Sequence, residues 1–409
     1  MALLLSGVLK ADKRQRWRCS AGAVTALAVF LCSTEGIAQE RWELIEDFRL
    51  GGFEDVGVLL TTVGTVREHA SGAAFVSQPV SGTILRLDEH GRQGAILGGR
   101  SEGPGEFRTL GNFVLRGDTL FVADPQLRRV THFGLDGDQP GTTAFHDAAA
   151  DLATDLQGGR AFPVVGIGES AALAIPSAVP SPGNTLRLPL VWLSAGGERS
   201  RVITELVVPT PIEVEIGGRR IVGSPGALHD ALGGHDRWTV APDGSGIVVA
   251  RMSRRDDAQF VAVTVTWIDL EPGGQSERIV FRSPARAVPE RTKRELEERT
   301  VAQMAGALGA APARLRRALA EILEPADYLP PVTDVALSTD GAAWLRGTPG
   351  DGQVIWRVVR PREGVVARVR TPEEVTLRSI TPAGVWGVIS DSYDVPVLIR
   401  YRIERSEGR

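Results

Sequence analysis

From Val56 to the C-terminus the sequence consists mostly of short apolar or alternating runs separated by Gly, Asp and Pro. Runs of this length between such turn residues predict many antiparallel strands joined by tight turns. One layout, a strand, a turn, a second strand and a turn with Asp and Gly, recurs along the chain. Its copies are 72–92, 118–138, 341–364 and 384–404, with looser versions at 187–206 and 245–274.

A further apolar segment precedes several of these copies, at 109–117, 237–244, 332–341 and 377–384. One such segment, the hairpin that follows it and a return strand make a four-stranded unit, and about six units fit at the period of propeller blades. Each unit alone exposes two apolar faces, so the units must stack around a common centre. The pattern therefore predicts an all-β fold, a six-bladed β-propeller.

Residues 286–330 break this rhythm because they are rich in Ala, Leu, Glu and Arg. Apolar residues recur there at helical spacing in two stretches, Leu296, Val301, Met304 and Leu308, then Leu315, Leu319 and Leu323. Pro312 separates the two stretches. We therefore expect a small helical hairpin at about 287–325, inserted before the fifth blade.

The N-terminal residues 1–38 have the features of an export signal. A basic stretch precedes the apolar run 21–32, and Gly36 and Ala38 supply small residues at the −3 and −1 positions. Cleavage after Ala38 would leave 39–409 as a single propeller domain, exported to the periplasm or the extracellular space. An uncleaved membrane anchor is the alternative, although the apolar run is shorter than the roughly 18–20 residues of a spanning helix.

Charge and cysteine use narrow the classes of function. The formal net charge is −4 at pH 7, and nothing supplies the clustered basic side chains that nucleic acid requires. Cys19 and Cys32 both lie in the leader, so the mature chain has no disulfide, thiolate nucleophile or Cys-based metal site. We expect a monomer that binds an unknown protein or small molecule and touches a membrane only through an uncleaved leader.

No local catalytic motif is present. The chain lacks Gly-x-Ser-x-Gly, and its histidines lack the spacing of a zinc site. GGRSEGPGEF (98–107) lacks the Lys and Ser/Thr of a phosphate-binding loop. We interpret it as a connector between two blades, with Phe107 packed between them and Arg100 available to a ligand. Asp124 and Arg129 are expected to brace a nearby turn through hydrogen bonds.

Three positions near the starts of predicted inner strands are candidate ligand contacts at the mouth of the central channel. They are Asn112, then His235 or Asp236, and Asp334, and Arg100 completes the set. Oxygen-rich ligands of this kind suit Ca²⁺ or Mg²⁺. We expect no catalytic residue, no metal ligand and no cofactor, and a Ca²⁺ or Mg²⁺ ion in the channel is the alternative.

Three segments, GGRSEGPGEF, DTLFVADPQLRRVTHFGLDG and PPVTDVALSTDGAAWLRG, resemble those of NHL-type six-bladed propellers. The chain is similar to exported bacterial propeller proteins of the NHL-repeat-like or TolB-like type. This resemblance implies the fold over nearly all of the mature chain. It predicts almost nothing about the chemistry of the protein, because the same architecture has unrelated functions in different proteins. We expect a binding or interaction module. The alternatives are a metal-dependent lactonase- or lyase-like enzyme that uses the channel, and an envelope assembly scaffold, which an exposed apolar stripe on the helices would favour.

Overall fold

The structure of the protein is a computed structural model, and it describes residues 28–31, 40–53, 57–138, 140–145, 161–176, 185–196, 200–209, 212–216, 219–223, 235–253, 259–308, 311–322 and 328–406. The strands of these residues are, in chain order, β1 (Ala28–Leu31), β2 (Glu40–Gly51), β3 (Val66–Glu68), β4 (Ala74–Gln78), β5 (Thr83–Leu87), β6 (Gln93–Gly98), β7 (Phe113–Arg116), β8 (Thr119–Asp124), β9 (Arg129–Gly134), β10 (Gly141–Ala144), β11 (Ala161–Gly168), β12 (Ala171–Pro176), β13 (Thr185–Ser194), β14 (Arg201–Pro209), β15 (Ile212–Ile216), β16 (Arg219–Gly223), β17 (Arg237–Val240), β18 (Gly246–Ser253), β19 (Phe260–Asp269), β20 (Ser276–Pro284), β21 (Arg286–Ala287), β22 (Tyr328–Leu329), β23 (Asp334–Leu337), β24 (Ala343–Arg346), β25 (Gln353–Arg360), β26 (Gly364–Pro372), β27 (Thr376–Thr381), β28 (Gly384–Ser390) and β29 (Pro396–Ser406). Helices α1 (Glu290–Leu308) and α2 (Pro312–Ile322) lie between β21 and β22.

Most strands form sheets in which neighbours along the chain are also neighbours in space. β3–β6, β7–β10 and β11–β14 are four-stranded sheets, and β17–β20 form another whose edge strand β20 also pairs with β1. β23–β29 join β2 in a single eight-stranded sheet. The fold is therefore mostly β, with a propeller-like arrangement of meandering sheets.

Six separate blades, as predicted from the sequence, are not seen. The described strands give four separate sheets of four or five strands and one of eight, apart from two-stranded pairs. The reason lies in β2, which pairs in parallel with β26 over Glu40–Trp42 and antiparallel with β29 over Arg41–Gly51. The N-terminal strand thereby joins two groups of four strands into one sheet.

The core lies between the sheets. Apolar clusters pack β4 and β5 against β7 and β8, as with Phe75 and Phe113, and pack β28 and β29 against β3 and β4, as with Leu398 and Val66. Other clusters fill the spaces between the remaining consecutive sheets. Edge strands also contact one another. β7 contacts β11, β17 contacts β23, and β27 contacts β3, while β23 and β27, the two edges of the eight-stranded sheet, contact each other. These contacts bring residues of different sheets close together.

The two helices lie within the predicted 287–325 region. Leu296, Val301 and Leu315 are buried, and Arg316 on α2 lies 3.6 Å from Glu297 on α1. Their arrangement as an inserted hairpin stays a prediction. Among the described residues, neither helix combines the length and apolarity needed to cross a bilayer.

One strand of the predicted leader is described. β1, which lies within the predicted apolar run, pairs in parallel with Glu277–Val280 of β20. The remainder of 1–38 lies outside the described residues, and cleavage after Ala38 stays a prediction.

The segment 98–107 connects the β3–β6 sheet to the β7–β10 sheet, as predicted. Gly98 and Gly105 have φ angles of 82° and 77°, a left-handed conformation that favours glycine. Phe107 is 0 % exposed, and its ring centroid lies 6.0 Å from that of Phe133. The connector is therefore a structural element whose aromatic residue fills the space between two sheets.

Asp124 and Arg129 both brace this connector. The Asp124 carboxylate accepts a hydrogen bond from the Arg108 backbone N–H at 2.8 Å. The Arg129 guanidinium donates to three carbonyl oxygens of the connector, those of Glu102 at 3.0 Å, Gly103 at 2.9 Å and Glu106 at 2.6 Å. The predicted bracing role is confirmed, and it extends from the turn to the whole connector.

Candidate functional site

Two of the predicted ligand contacts make structural hydrogen bonds. Arg100 is exposed and its Nη1 donates to the Val80 carbonyl at 3.0 Å, which ties the connector to a hairpin turn. The Asn112 Oδ1 accepts from the Thr65 hydroxyl at 2.7 Å, and the Asn112 backbone forms a parallel bridge with Val165. Asn112 thus joins three consecutive sheets through its backbone and side chain.

The pair His235 and Asp236 is buried just before β17. Asp236 accepts hydrogen bonds from Arg251, with the shortest at 2.6 Å, and from the Val207 backbone N–H at 2.9 Å. Val207 belongs to β14, the last strand of its sheet. Asp236 therefore fastens two neighbouring sheets together, and its carboxylate is occupied by protein donors.

Among the predicted contacts, Asp334 lies beside charged groups of its own sheet and of the neighbouring sheet that contains β17. It is the first residue of β23, where its register partner is Arg346 on β24. Because β23 contacts β17 on one side and β27 on the other, Arg237 on β17 and Arg378 on β27 lie on the strands that flank it. Three arginines from two sheets thus lie near one carboxylate; we call Asp334, Arg237, Arg346 and Arg378 the arginine cluster.

The environment of Asp334 combines an exposed residue surface with nearby positive charges. The residue keeps an exposed surface, yet protein atoms surround its carboxyl group, and this burial raises the pKa of Asp334 above its ordinary value. The backbone N–H of Val335 and the charges of Arg378, Arg237 and Arg346 act in the opposite direction. The carboxyl group therefore titrates in a confined, strongly cationic environment.

Arg378 is the arginine with the most available donors. Arg346 already donates to the Thr333 hydroxyl at 3.3 Å and to the Glu373 carbonyl at 3.0 Å, and Arg237 is buried with an interaction of its own. Within the described part of the chain, no hydrogen bond of the Arg378 guanidinium is found. Arg378 keeps an exposed surface. Burial of its guanidinium group lowers the pKa of Arg378, and the charge of Asp334 opposes this shift.

The arginine cluster does not fit the Ca²⁺ or Mg²⁺ ion that was the alternative to a metal-free site. Those ions require six to eight oxygen ligands, several of them carboxylates, whereas the charged neighbours of Asp334 are cations that repel a metal ion. Across the described ranges, no group of three or more His, Cys, Asp and Glu side chains is placed to hold a metal. The arrangement is instead suited to an anion, which accepts hydrogen bonds from guanidinium groups.

Sequence reasoning missed the arginines of this cluster. Arg237 directly follows the candidate Asp236, and Arg378 lies in the segment 377–384 that was assigned to an inner strand. The metal ligands expected from the sequence are oxygen and imidazole groups, and arginine cannot ligate a cation. Arginines at the starts of inner-strand segments were the signal available in the sequence.

Comparisons with known proteins add little to this geometry. No protein-family model matches the chain, and no curated protein matches its sequence. Similar solved structures include a member of the DUF4221 family from Bacteroides vulgatus, at 10 % identity and a TM-score of 0.45. The match covers 90 % of this chain and 100 % of the DUF4221 chain. Virginiamycin B lyase from Staphylococcus aureus is similar at 8 % identity and a TM-score of 0.36, covering 88 % and 99 %. Regucalcin from Agrobacterium tumefaciens, a calcium-binding protein, is similar at 11 % identity and a TM-score of 0.31, covering 86 % and 92 %. Similarities this weak do not assign a ligand or an activity to this chain.

Proposed function

We propose that this protein is an exported six-bladed β-propeller that binds a small anionic ligand where its inner strands begin. The observation that supports this function is the arginine cluster, in which the positive charges of three arginines from two sheets act on one carboxylate. An anion that enters the cluster relieves the repulsion between the arginines and accepts the hydrogen bonds that Arg378 does not make within the protein. Arg378 is therefore the principal ligand contact, and Arg237 and Arg346 supply further positive charge.

The strand order supports six units. In the eight-stranded sheet, β23–β26 form one meander, and β27, β28, β29 and β2 form a second one that is joined to the first along the edge of β26. Counting these two with the four separate sheets gives six units of the propeller type. β2 then acts as the closing strand of the ring, since it supplies the fourth strand to a unit made otherwise from the C-terminus.

The leader and the helices fit the same proposal. Cleavage after Ala38 would remove β1 and return the sheet of β17–β20 to four strands like its neighbours. α1 and α2 would form a helical hairpin between the fourth and fifth units. Export is supported by the leader sequence, and the cysteine-free mature chain is compatible with an oxidising compartment.

The two alternative functions receive less support. A metal-dependent enzyme needs a cation at the channel mouth, and the charges around Asp334 oppose one. An envelope scaffold that docks through α1 and α2 needs an exposed apolar stripe, but Leu296, Val301 and Leu315 are buried. Leu308 and Leu319 belong to the parts of these helices whose side chains lie outside the described residues.

Thermal unfolding of the protein as purified after export tests the proposal. After chelation, we expect citrate, phosphate or sulfate to raise the unfolding midpoint and Ca²⁺ or Mg²⁺ to leave it unchanged. A ligand that binds only the folded state adds about 2.7 kcal/mol of stability at a hundredfold excess over its dissociation constant. Arg378→Gln should abolish the specific part of the anion shift.

Two controls make this measurement specific. Sulfate and phosphate also stabilise proteins by exclusion from their surfaces, and the shift that remains in Arg378→Gln measures that general effect. Arg370→Gln removes the same charge from an exposed position on β26 and should respond like the wild-type protein. Equal shifts in Arg378→Gln and Arg370→Gln would refute an anion site at the arginine cluster.

A further inference from the structure

A second candidate site lies at the opposite end of the inner strands. A cavity of about 550 Å³ is bordered there by the turns that follow β17 and β23, by the turn between β19 and β20, and by the end of β3. The arginine cluster lies at or near the starts of β17, β23 and β27, whereas this cavity lies where β17 and β23 end. Cavities of this volume are typical of small-molecule sites.

Arg67 of β3 lines this cavity and is its most unusual group. The residue is 8 % exposed, and its Nη1 donates to the Val66 carbonyl at 2.9 Å. Its Nε has no hydrogen-bond partner, and no ion pair of Arg67 is found in the described part of the protein. Burial lowers the pKa of Arg67 to about 10, with Asp243 acting in the opposite direction. The guanidinium therefore stays charged at neutral pH, and a buried charge without a paired anion is destabilising.

Acidic side chains line the remainder of the cavity. Glu68 is already engaged by Arg400 at 3.0 Å and by the Trp386 indole at 2.6 Å, and Glu277 pairs with Arg362. Asp243, Asp269 and Glu271 also line the cavity, and none of the three has an ion pair among the described residues. One buried cation is thus combined with three acidic groups outside any described ion pair, of which Asp243 already acts on Arg67 electrostatically. This set disfavours a ligand that bears negative charge alone.

The cavity also has an apolar wall. Trp267 lines it together with Leu115, Ile247 and Leu337. The Trp267 indole N–H donates to the Gly341 carbonyl at 3.0 Å, which fixes the ring. An apolar group of a ligand can therefore pack against a rigid aromatic surface.

We propose that this cavity binds a free amino acid with an apolar side chain. The α-carboxylate would pair with Arg67, the ammonium group would interact with the carboxylates of Asp243, Asp269 or Glu271, and the side chain would pack on Trp267. Both charges of the ligand would then be matched, and Arg67 would gain a direct ion pair, which it lacks among the described residues. This site is separate from the arginine cluster and does not depend on the function proposed for it.

Titration calorimetry of the protein as purified after export, with three related compounds, tests the assignment. L-Phenylalanine carries both charges, N-acetyl-L-phenylalanine lacks the cation, and phenethylamine lacks the carboxylate. We expect saturable binding of phenylalanine and at least about tenfold weaker binding of the other two compounds, as the loss of one charge contact of about 1.4 kcal/mol would give. Absence of saturable binding by phenylalanine, or equal binding of all three compounds, would overturn the proposal.

Variants locate the binding and separate it from the arginine cluster. Arg67→Met keeps a long unbranched side chain, and it should abolish phenylalanine binding while the thermal midpoint stays the same or rises. Glu271→Gln, at an exposed position, should weaken phenylalanine without affecting N-acetyl-L-phenylalanine. Arg378→Gln is the control and should bind phenylalanine like the wild-type protein. If Arg67→Met binds phenylalanine unchanged, or if Arg378→Gln loses that binding, the cavity is not its site.

Discussion

Replacing Arg251 with alanine is expected to lower the free energy of unfolding by about 2–3 kcal/mol. This is less than the roughly 3–5 kcal/mol found for fully buried ion pairs, because the Arg251 side chain is 43 % exposed and water screens part of the interaction. The side chain of Asp236 is 0 % exposed. Its two oxygens accept from the Arg251 Nε at 2.9 and 3.1 Å and from its Nη2 at 2.6 Å. Without Arg251 the carboxylate keeps only the Val207 backbone N–H as a described donor, at 2.9 Å, and a buried anion is left without a cation. Urea unfolding monitored by fluorescence measures the loss.

The matched control is Arg187→Ala in the neighbouring sheet. Arg187 lies 3.7 Å from Glu205, and both side chains are more than half exposed, so this pair should contribute no more than about 1 kcal/mol. A second variant, Asp236→Asn, removes the buried charge and should lessen the effect of Arg251→Ala in the double variant. Losses of similar size for Arg251→Ala and Arg187→Ala would contradict the structural role assigned to Asp236.

Trp356→Ala is expected to cost about 3–5 kcal/mol of stability, as large-to-small changes of fully buried aromatic residues do. Trp356 is 0 % exposed and packs in the apolar cluster that also contains Trp42 of β2 and Trp344 of β24. Its indole N–H donates to the Thr371 hydroxyl at 3.2 Å, and the substitution leaves that buried hydroxyl without this donor. The free energy of unfolding in urea is again the quantity to measure.

The adjacent residue provides the control for this prediction. Ile355 points to the other side of β25 and is 40 % exposed, so Ile355→Ala should change stability by less than about 1 kcal/mol. The Trp356 cluster includes Trp42 of β2 and Val369 of β26, so a large loss is expected from packing across the sheet. A loss for Trp356→Ala no greater than that for Ile355→Ala would contradict the close packing of the two halves of the eight-stranded sheet.

The strands could be predicted from the sequence because their signals are local. The alternating runs at 72–92 and 118–138 become β4, β5, β8 and β9, with the turns where Gly and Asp required them. The role of β2 could not be predicted in this way. Its partners β26 and β29 lie more than 300 residues away. The sequence pattern of β2 alone does not indicate which distant strands it pairs with.

The candidate site was predictable only in part, for a related reason. Asp334 could be placed at the start of an inner strand, but its neighbours depend on which sheets become adjacent. Arg237 and Arg378 come from strands far apart in the chain. Their positive charges favour an anion at a site where the sequence suggested oxygen ligands for a cation. The burial of Asp236 against Arg251 is likewise a consequence of packing between sheets.

The affinity for sulfate as a function of pH gives the most direct test of an anion site at the arginine cluster. It can be measured by titration calorimetry between about pH 7 and about pH 4. Burial raises the pKa of Asp334, so acidification protonates this carboxyl group at a higher pH than an exposed aspartate, and the negative charge that opposes anion binding disappears. We therefore predict that sulfate binds more tightly as the pH falls, and that Asp334→Asn binds tightly at every pH in this range. Sulfate affinity that does not change with pH, or Ca²⁺ binding that strengthens as the pH rises and is lost in Asp334→Asn, would contradict an anion site at the arginine cluster.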